Sequence, residues 1–425
     1  MHRLSSRRGV VASLASLAAV PLVIGVLGWL ADWPLGMDSA VYRAGALTLL
    51  HGDPLYDADT LAFEPEWAQL PFTYPPAAAL LFVPLAVFPA PVAWGALGAI
   101  SIAAAGLVVA LSLGGTGWRA GTSSAKQSPS LGLLARGTPL VVVGLTAAVL
   151  LLEPVWRTVS LGQVNLILLA LILVDVMVLT ARGSRAGGVL IGVAAAVKLT
   201  PLIFVPHLLF TGRWRDALRA LATFVTLQAA MLALIPQDVA RYWTRAVSDP
   251  TRIGTIHWSD NQALNGLVLR LTDGAPWSMA VALGVGVLLA PPAVWLMLRY
   301  HRKGDELHAL LVTAGYGLLV SPVSWTHHWV WVIPLLVMLL ARLPRDVTAA
   351  PKRLATLAAV VVVFGSYVLL ILPGGRDPDG WSVLDHVLGN AYLYVPLVLG
   401  GLAFAKEWRT PQPRRPPTGV RAVTG

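Results

Sequence analysis

The chain has no cysteine in 425 residues. That removes disulfides, thiolate metal sites and a cysteine nucleophile together. It leaves the compartment open, because helices packed in lipid need no covalent staples. Charge is the second scarcity. Asp, Glu, Lys and Arg make up 12% of the chain, against about 25% in a soluble domain. Hydrophobic residues make up 56%, and mean hydropathy is +0.70. Such a chain cannot cover its surface against water, so it reads as an all-α, polytopic integral membrane protein. An HExxH motif is also missing, as is any histidine cluster beyond His327 and His328. No metal site and no resident cofactor are therefore expected.

What charge there is leans basic, at +10 overall. A nucleic-acid partner is not indicated, because the basic residues fall in short turns between apolar runs. Arg182 and Arg185, then Arg213, Arg215 and Arg219, then Arg299, Arg302 and Lys303, then Arg342, Lys352 and Arg353 are such groups. Cytoplasmic loops have this distribution under the positive-inside rule. At about 20 residues per span, the length gives room for about 11–13 membrane segments. A consistent topology puts the N-terminus, 114–137, 181–186, 211–219, 299–306, 342–353 and the C-terminal tail inside. Segments 32–75, 153–164, 236–276, 321–328 and 373–386 then lie outside. They hold most of the acidic residues.

The organisation read from this pattern is a single transmembrane domain over 1–405. It has a first outer loop at 32–75, a flexible inner loop at 114–137 and a disordered inner tail at 406–425. The run 10–31 reads as an uncleaved first helix. No internal repeat is visible. Two stretches defy a simple count. Residues 187–210 carry Arg on both flanks, and Thr200-Pro201 offers a break into two half-helices. Residues 77–113 are long for one crossing and are punctuated by Pro84, Pro89 and Pro91. Broken backbone at membrane depth is tolerated where it lines an enclosed or wet cavity, so both irregularities point toward a site.

Several polar residues need explaining. Asp38, in Gly36-Met37-Asp38-Ser39-Ala40-Val41-Tyr42-Arg43, sits where the first span meets the outer water. A carboxylate there accepts a proton from a hydroxyl; a helix cap is the plainer role. Lys198 lies in the apolar run Val193-Ala194-Ala195-Ala196-Val197-Lys198-Leu199, where a charge costs about 2.5–3.5 kcal/mol on insertion scales. An ammonium beside a helix break suits a phosphate oxyanion, whereas snorkelling to an interface is the alternative. His327 and His328 lie within Ser321-Pro322-Val323-Ser324-Trp325-Thr326-His327-His328-Trp329. Adjacent histidines face different sides of a helix, so one of them is expected to meet a phosphate or sugar. Trp325 suits stacking on a sugar ring or an isoprenoid, with an interfacial aromatic belt as the plainer reading. Gln163, Asn165, Asn261, Gln262 and Asn265 add amides whose donors and acceptors match sugar hydroxyls, although amides also cap helices.

Six ordered motifs carry a resemblance. They are Asp-Ser-x-Val-Tyr at 38–42, Phe-Thr-Tyr-Pro-Pro at 72–76, Gly-Gln-Val-Asn at 162–165, Val-Lys-Leu-Thr-Pro at 197–201, Asn-Gln-x-Leu-Asn-Gly at 261–266, and Ser-Pro-Val-Ser-Trp-x-His-His-Trp at 321–329. Together they resemble the actinobacterial glycosyltransferase 87 family over residues 30 to 340. Its members have the GT-C fold and are polyprenol-phosphate-mannose-dependent α-(1→2)-mannosyltransferases. The resemblance implies a catalytic first outer loop, and a polyprenyl phosphate mannose donor used on the outer face of the plasma membrane. It implies Asp38 as catalytic base and His327 near the donor phosphate. Lys198, Arg43, Tyr74 and His328 become further donor-binding candidates. Tyr42, Gln163, Asn165, Asn261, Gln262, Asn265 and Trp325 become cavity or acceptor candidates. The acceptors implied are phosphatidylinositol mannosides, lipomannan or lipoarabinomannan. Alternatives are a transferase of another lipid-linked sugar, such as arabinose or glucose, and a secondary transporter. Membrane lipids are the expected surroundings, and no protein partner is identified.

Overall fold

A computed structural model describes residues 7–57, 60–116, 138–344 and 346–410. The inner loop expected at 114–137 and the tail expected at 406–425 fall largely outside them. Among the described residues the chain is helical throughout, with only an isolated bridge between Asn261 and Trp325. Five helices are long and apolar enough to cross a membrane. They are α1 (Arg7–Leu30), whose spanning part is Val11–Leu30, α4 (Ala90–Gly115), the helix Asn165–Arg182, α10 (Trp214–Leu234) and α13 (Ser278–Arg302). A sixth crossing forms if α5 (Thr138–Val149) and α6 (Glu153–Leu161), bent by 78° at their junction, act as one. The estimate of about 11–13 segments treated every apolar run as a full span. The structure instead builds several of those runs from shorter helices.

Both irregular stretches resolve. Residues 77–113 form one crossing, α4, preceded by the short helix α3 (Pro76–Leu81) and a 3-10 turn at Val83–Leu85. That turn ends at Leu85, and Pro89 stands at the N-cap of α4. Residues 187–210 break as expected. Helix α8 (Val189–Val197) stops at Lys198, whose backbone is extended (φ −148°, ψ 131°), and α9 (Phe204–Phe210) follows a 3-10 turn at Thr200–Ile203. Gly188 and Ile191 at the start of α8 donate their N–H groups to Asp175, at 2.6 and 3.0 Å. Asp175 lies near the end of α7 (Asn165–Val174 and its continuation), so this buried carboxylate serves as the cap of the next helix.

The remaining helices in order are α2 (Met37–His51), α11 (Pro236–Thr244), α12 (Leu264–Leu271), α14 (Glu306–Val320), α15 (Val332–Ala341), α16 (Pro351–Gly365), α17 (Val383–Leu388) and α18 (Ala391–Arg409). One apolar core runs through α4, α7, α14, α15 and α16, and a second gathers α2, α3 and part of α4 and α7.

The first helix is seated on α4 by glycine. A Cβ added to Gly95 would stand 2.6 Å from the Pro21 carbonyl oxygen, and one added to Gly25 would stand 2.5 Å from that of Pro91. Backbones approach this closely in membranes only where residues are small. Because Pro21 and Leu22 meet Gly95 with main-chain atoms, neither yields by a rotamer change. Gly95→Leu is therefore expected to destabilise the fold by at least the ~1–3 kcal/mol of an overpacked core. A melting curve in detergent checks this, and an unchanged midpoint would show that α1 is not held there.

Candidate active site

Glycine geometry also places Asp38. Gly36 precedes α2 with φ +74°, and Gly162 ends α6 with φ +71°. A Cβ at either would collide with Ser39 Oγ, at 2.4 and 2.5 Å, and would press on the Trp94 ring. The Trp94 Nε1–H donates to the Val159 carbonyl at 2.8 Å. The first turn of α2 is thereby locked against the α6–α7 junction, which carries Gln163 and Asn165.

Gln163 is the hinge of the network. Its Oε1 accepts from the Tyr42 hydroxyl at 2.8 Å and its Nε2 reaches the Tyr74 hydroxyl at 3.4 Å, while its amide also acts on the nearby Asp38 carboxyl. The Tyr42 and Tyr74 hydroxyls are 3.0 Å apart. Burial pushes the Asp38 carboxyl above its usual range; the Gln163 amide and the charges of Lys198 and Arg157 offset part of that rise. A carboxylate with a raised proton affinity is a stronger base than one in water.

Two residues along, Asn165 joins the cationic side. Lys198 Nζ donates to Asn165 Oδ1 at 3.2 Å and to His328 Nε2 at 2.8 Å, and it stands 6.0 Å from the Tyr74 ring centroid. The extended backbone at Lys198 lets this side chain leave the helix break toward the motif residues instead of the lipid. His327 is fixed through its main chain. Its carbonyl accepts from Asn165 Nδ2 at 2.9 Å and from Thr158 Oγ1 at 3.1 Å. The residue is 6% exposed, and both Nδ1 and Nε2 of its ring are buried without a protein partner. A buried imidazole costs free energy unless something completes it, so these atoms are positioned for a ligand.

The structure thus gathers Asp38, Tyr42, Tyr74, Gln163, Asn165, Lys198, His327 and His328. The other candidates fall elsewhere. Arg43 Nε donates to the Phe88 carbonyl at 2.6 Å, away from the cluster. Asn261 and Gln262 are fully buried and bond to main chain. Gln262 Nε2 donates to the carbonyls of Ser259 and Gly389, and its Oε1 caps Tyr392 and Leu393 at the start of α18. Asn261 Oδ1 accepts from Ala263 and Ser324, and its Nδ2 donates to Ile256. Asn265 Nδ2 donates to Pro322 at 3.1 Å while its Oδ1 is buried and unpartnered. Trp325 pairs with Asn261 in the bridge. These four hold the loops that present His327.

One residue near the site escaped the motif reading. Arg157, on α6 one residue before Thr158, pairs with Asp260 at 3.0 Å and lies 3.8 Å from the fully buried Glu153. Glu153 accepts from the Tyr392 hydroxyl at 2.5 Å, and Arg376 approaches Asp260 at 3.5 Å. Arg157 acts on Asp38 through its charge. The signal available in sequence was the i,i+4 spacing of Glu153 and Arg157 in an outer segment. Among the described residues no group of three or more His, Asp or Glu side chains could hold a metal ion.

A helical bundle that brings a carboxylate, a lysine and an unpartnered imidazole together among apolar helices has the groups a membrane-bound transferase would use. Comparison with known proteins identifies it further. The sequence model of glycosyltransferase family 87 matches residues 72–322, and the chain belongs to that family. The transporter alternative is thereby set aside. The chain is 34% identical over 412 residues, 96% of its length and 93% of the relative's, to a protein of Mycobacterium tuberculosis. That relative is a polyprenol-phosphate-mannose-dependent alpha-(1-2)-phosphatidylinositol mannoside mannosyltransferase. A pentamannoside mannosyltransferase of Mycolicibacterium smegmatis is 34% identical over 77% of each chain. An alpha-(1->3)-arabinofuranosyltransferase of Mycobacterium tuberculosis is 27% identical over 87% of this chain and 81% of its own. No solved structure matches.

Proposed function

We propose that this glycosyltransferase moves mannose from polyprenyl phosphate mannose to a hydroxyl of a phosphatidylinositol mannoside, making an α-(1→2) bond at the outer face of the plasma membrane. The supporting observation is the juxtaposition of Asp38 with Lys198 and the unpartnered His327, in a chain similar along 96% of its length to a mannosyltransferase of that kind. Asp38 takes the proton of the acceptor hydroxyl as that oxygen attacks the anomeric carbon. The bond from that carbon to the phosphate oxygen breaks, and its electron pair leaves with the polyprenyl phosphate. One displacement inverts a β-linked donor to an α product. It needs a single carboxylate, not the pair that a glycosidase uses.

Lys198 and His327 stand where the departing phosphate gathers charge, with His328 and Asn165 aiming the ammonium. A slot with Asn165 and His328 at its polar end and Leu169, Phe204, Leu318 and Trp331 beyond gives the first isoprene units an apolar path. Because the leaving group is a monophosphate, no divalent ion is needed to bridge a diphosphate. Chelator is expected to leave the rate within about twofold. A strong loss restored by Mg²⁺ or Mn²⁺ would refute the metal-free course.

The arabinofuranosyltransferase relative gives one specific reason to hold a second donor in view. Purified protein in vesicles, offered polyprenyl phosphate mannose or polyprenyl phosphate arabinose with phosphatidylinositol mannosides, separates the two. The expected product is an α-(1→2)-linked mannoside by linkage analysis. Transfer from the arabinose donor alone would overturn the assignment.

A further inference from the structure

A second cavity lies on the other side of α14, away from the reacting groups. It occupies about 540 Å³ between α13, α14, α15, α16 and α18, within the ~300–1,000 Å³ range of sites that enclose a ligand. Its walls are mostly apolar, with Tyr316 and Thr356 among them, and its charged lining comes from His308, Arg342 and Lys406. Trp329 and Trp331 line the far part, on the turn that carries His327 and His328.

The dimensions and charge of this cavity fit a lipid of one leaflet. From His308 to Leu319 along α14 the wall rises about 16 Å at ~1.5 Å per residue. Half of a ~30 Å hydrocarbon core is ~15 Å. At the polar end Arg342 bonds Asp305 at 3.1 Å and His308 Nε2 at 2.5 Å. Arg299 and Lys303 both hold Glu407, at 2.9 and 2.5 Å. Lys406, next to Glu407 and exposed, has no acidic partner among the described residues. Arg299, Lys303, Arg342, Lys406 and Arg353, which donates to the Arg342 carbonyl at 2.9 Å, outnumber the carboxylates Asp305 and Glu407 there, so that end is net positive.

We infer that this cavity is a binding site for one anionic glycerophospholipid. Its phosphate lies at Arg342 and Lys406, and an acyl chain runs along α14 to Trp329 and Trp331. The phosphate end is set at the opposite end of α14 from His327, so the headgroup does not reach the reacting groups; the cavity shares Leu318 and Trp331 with the slot assigned to the isoprene units, and displacement by polyprenyl phosphate tells the two lipids apart. It fills the space behind the turn that bears the two histidines. The inference does not depend on which sugar is transferred.

Native mass spectrometry tests it, using the full chain equilibrated in vesicles of equal phosphatidylglycerol and phosphatidylcholine. The wild type is expected to retain one phospholipid, enriched about ten-fold for phosphatidylglycerol, as a few basic groups at a headgroup produce. Gly400 lines the cavity, and a Cβ there meets open space. Gly400→Trp is therefore expected to fill it and to remove the bound lipid with the melting midpoint retained. Lys406→Gln changes an exposed side chain and is expected to cut the enrichment several-fold while the fold is unaffected. The proposal is overturned if the wild type retains no lipid or shows no preference between the two. It is equally overturned if both variants keep the wild-type complement, or if added polyprenyl phosphate displaces the phospholipid from this cavity.

Discussion

Asp38→Asn loses about 10²–10⁴ in the rate of sugar transfer, the range a positioned base contributes, and leaves the melting transition in place. The amide keeps the shape of the carboxylate but cannot take a proton. The wild-type rate also has an acid limb. Because burial raises the Asp38 carboxyl, the active deprotonated form is lost on acidification at a higher pH than for an exposed aspartate. Below that point the base is protonated and turnover falls; above it the rate is level as far as this group is concerned. Radiolabelled transfer from polyprenyl phosphate mannose across pH measures both. Turnover in the asparagine variant near that of the wild type would remove Asp38 from the base role.

Lys198→Met lowers the transfer rate by about 10²–10³, the typical loss when one donor to developing charge is removed. The effect is expected chiefly on kcat, since the phosphate carries more charge as it leaves than when it binds. A second readout separates this from simple misfolding. Lys198 is among the groups that hold the Asp38 carboxyl down against the effect of burial. Its removal raises that carboxyl further, so the acid limb of the residual activity moves to higher pH. A variant with reduced rate but an unmoved limb would show that Lys198 does not face Asp38. Methionine keeps much of the side-chain length and is comfortable beside Val197 and Leu199, so the fold is expected to persist.

Part of the site was legible because it violates membrane chemistry. A lysine in the run 193–199 followed by Thr200-Pro201 has no cheap explanation in lipid, and the structure breaks the helix at that residue. Asp38 stood out in the same way at the end of the first span. The amides were not separable. Gln163 and Asn165 face the cluster, whereas Gln262 spends its whole amide on main chain. An amide satisfies a sugar, a side chain or a helix end equally well, and only the neighbours decide which. Arg43 was misleading through proximity. Five residues along a helix is roughly 140° around its axis, which turns it from Asp38 toward Phe88. Arg157 was passed over because its partner Asp260, which Arg376 also approaches, comes from a distant loop.

The sequence by itself determined that this protein lives in a membrane, is built of helices and carries ordered polar motifs that resemble a glycosyltransferase family. Composition and hydropathy are local sums, and any fold must obey them. Tertiary structure decided which polar groups meet. Tyr42 and Gln163 are 121 residues apart, Lys198 and His328 are 130 apart, yet each pair is within 2.8 Å. Such encounters depend on how α2, α7, the break after α8 and the 326–331 turn pack against one another, and no local pattern records that.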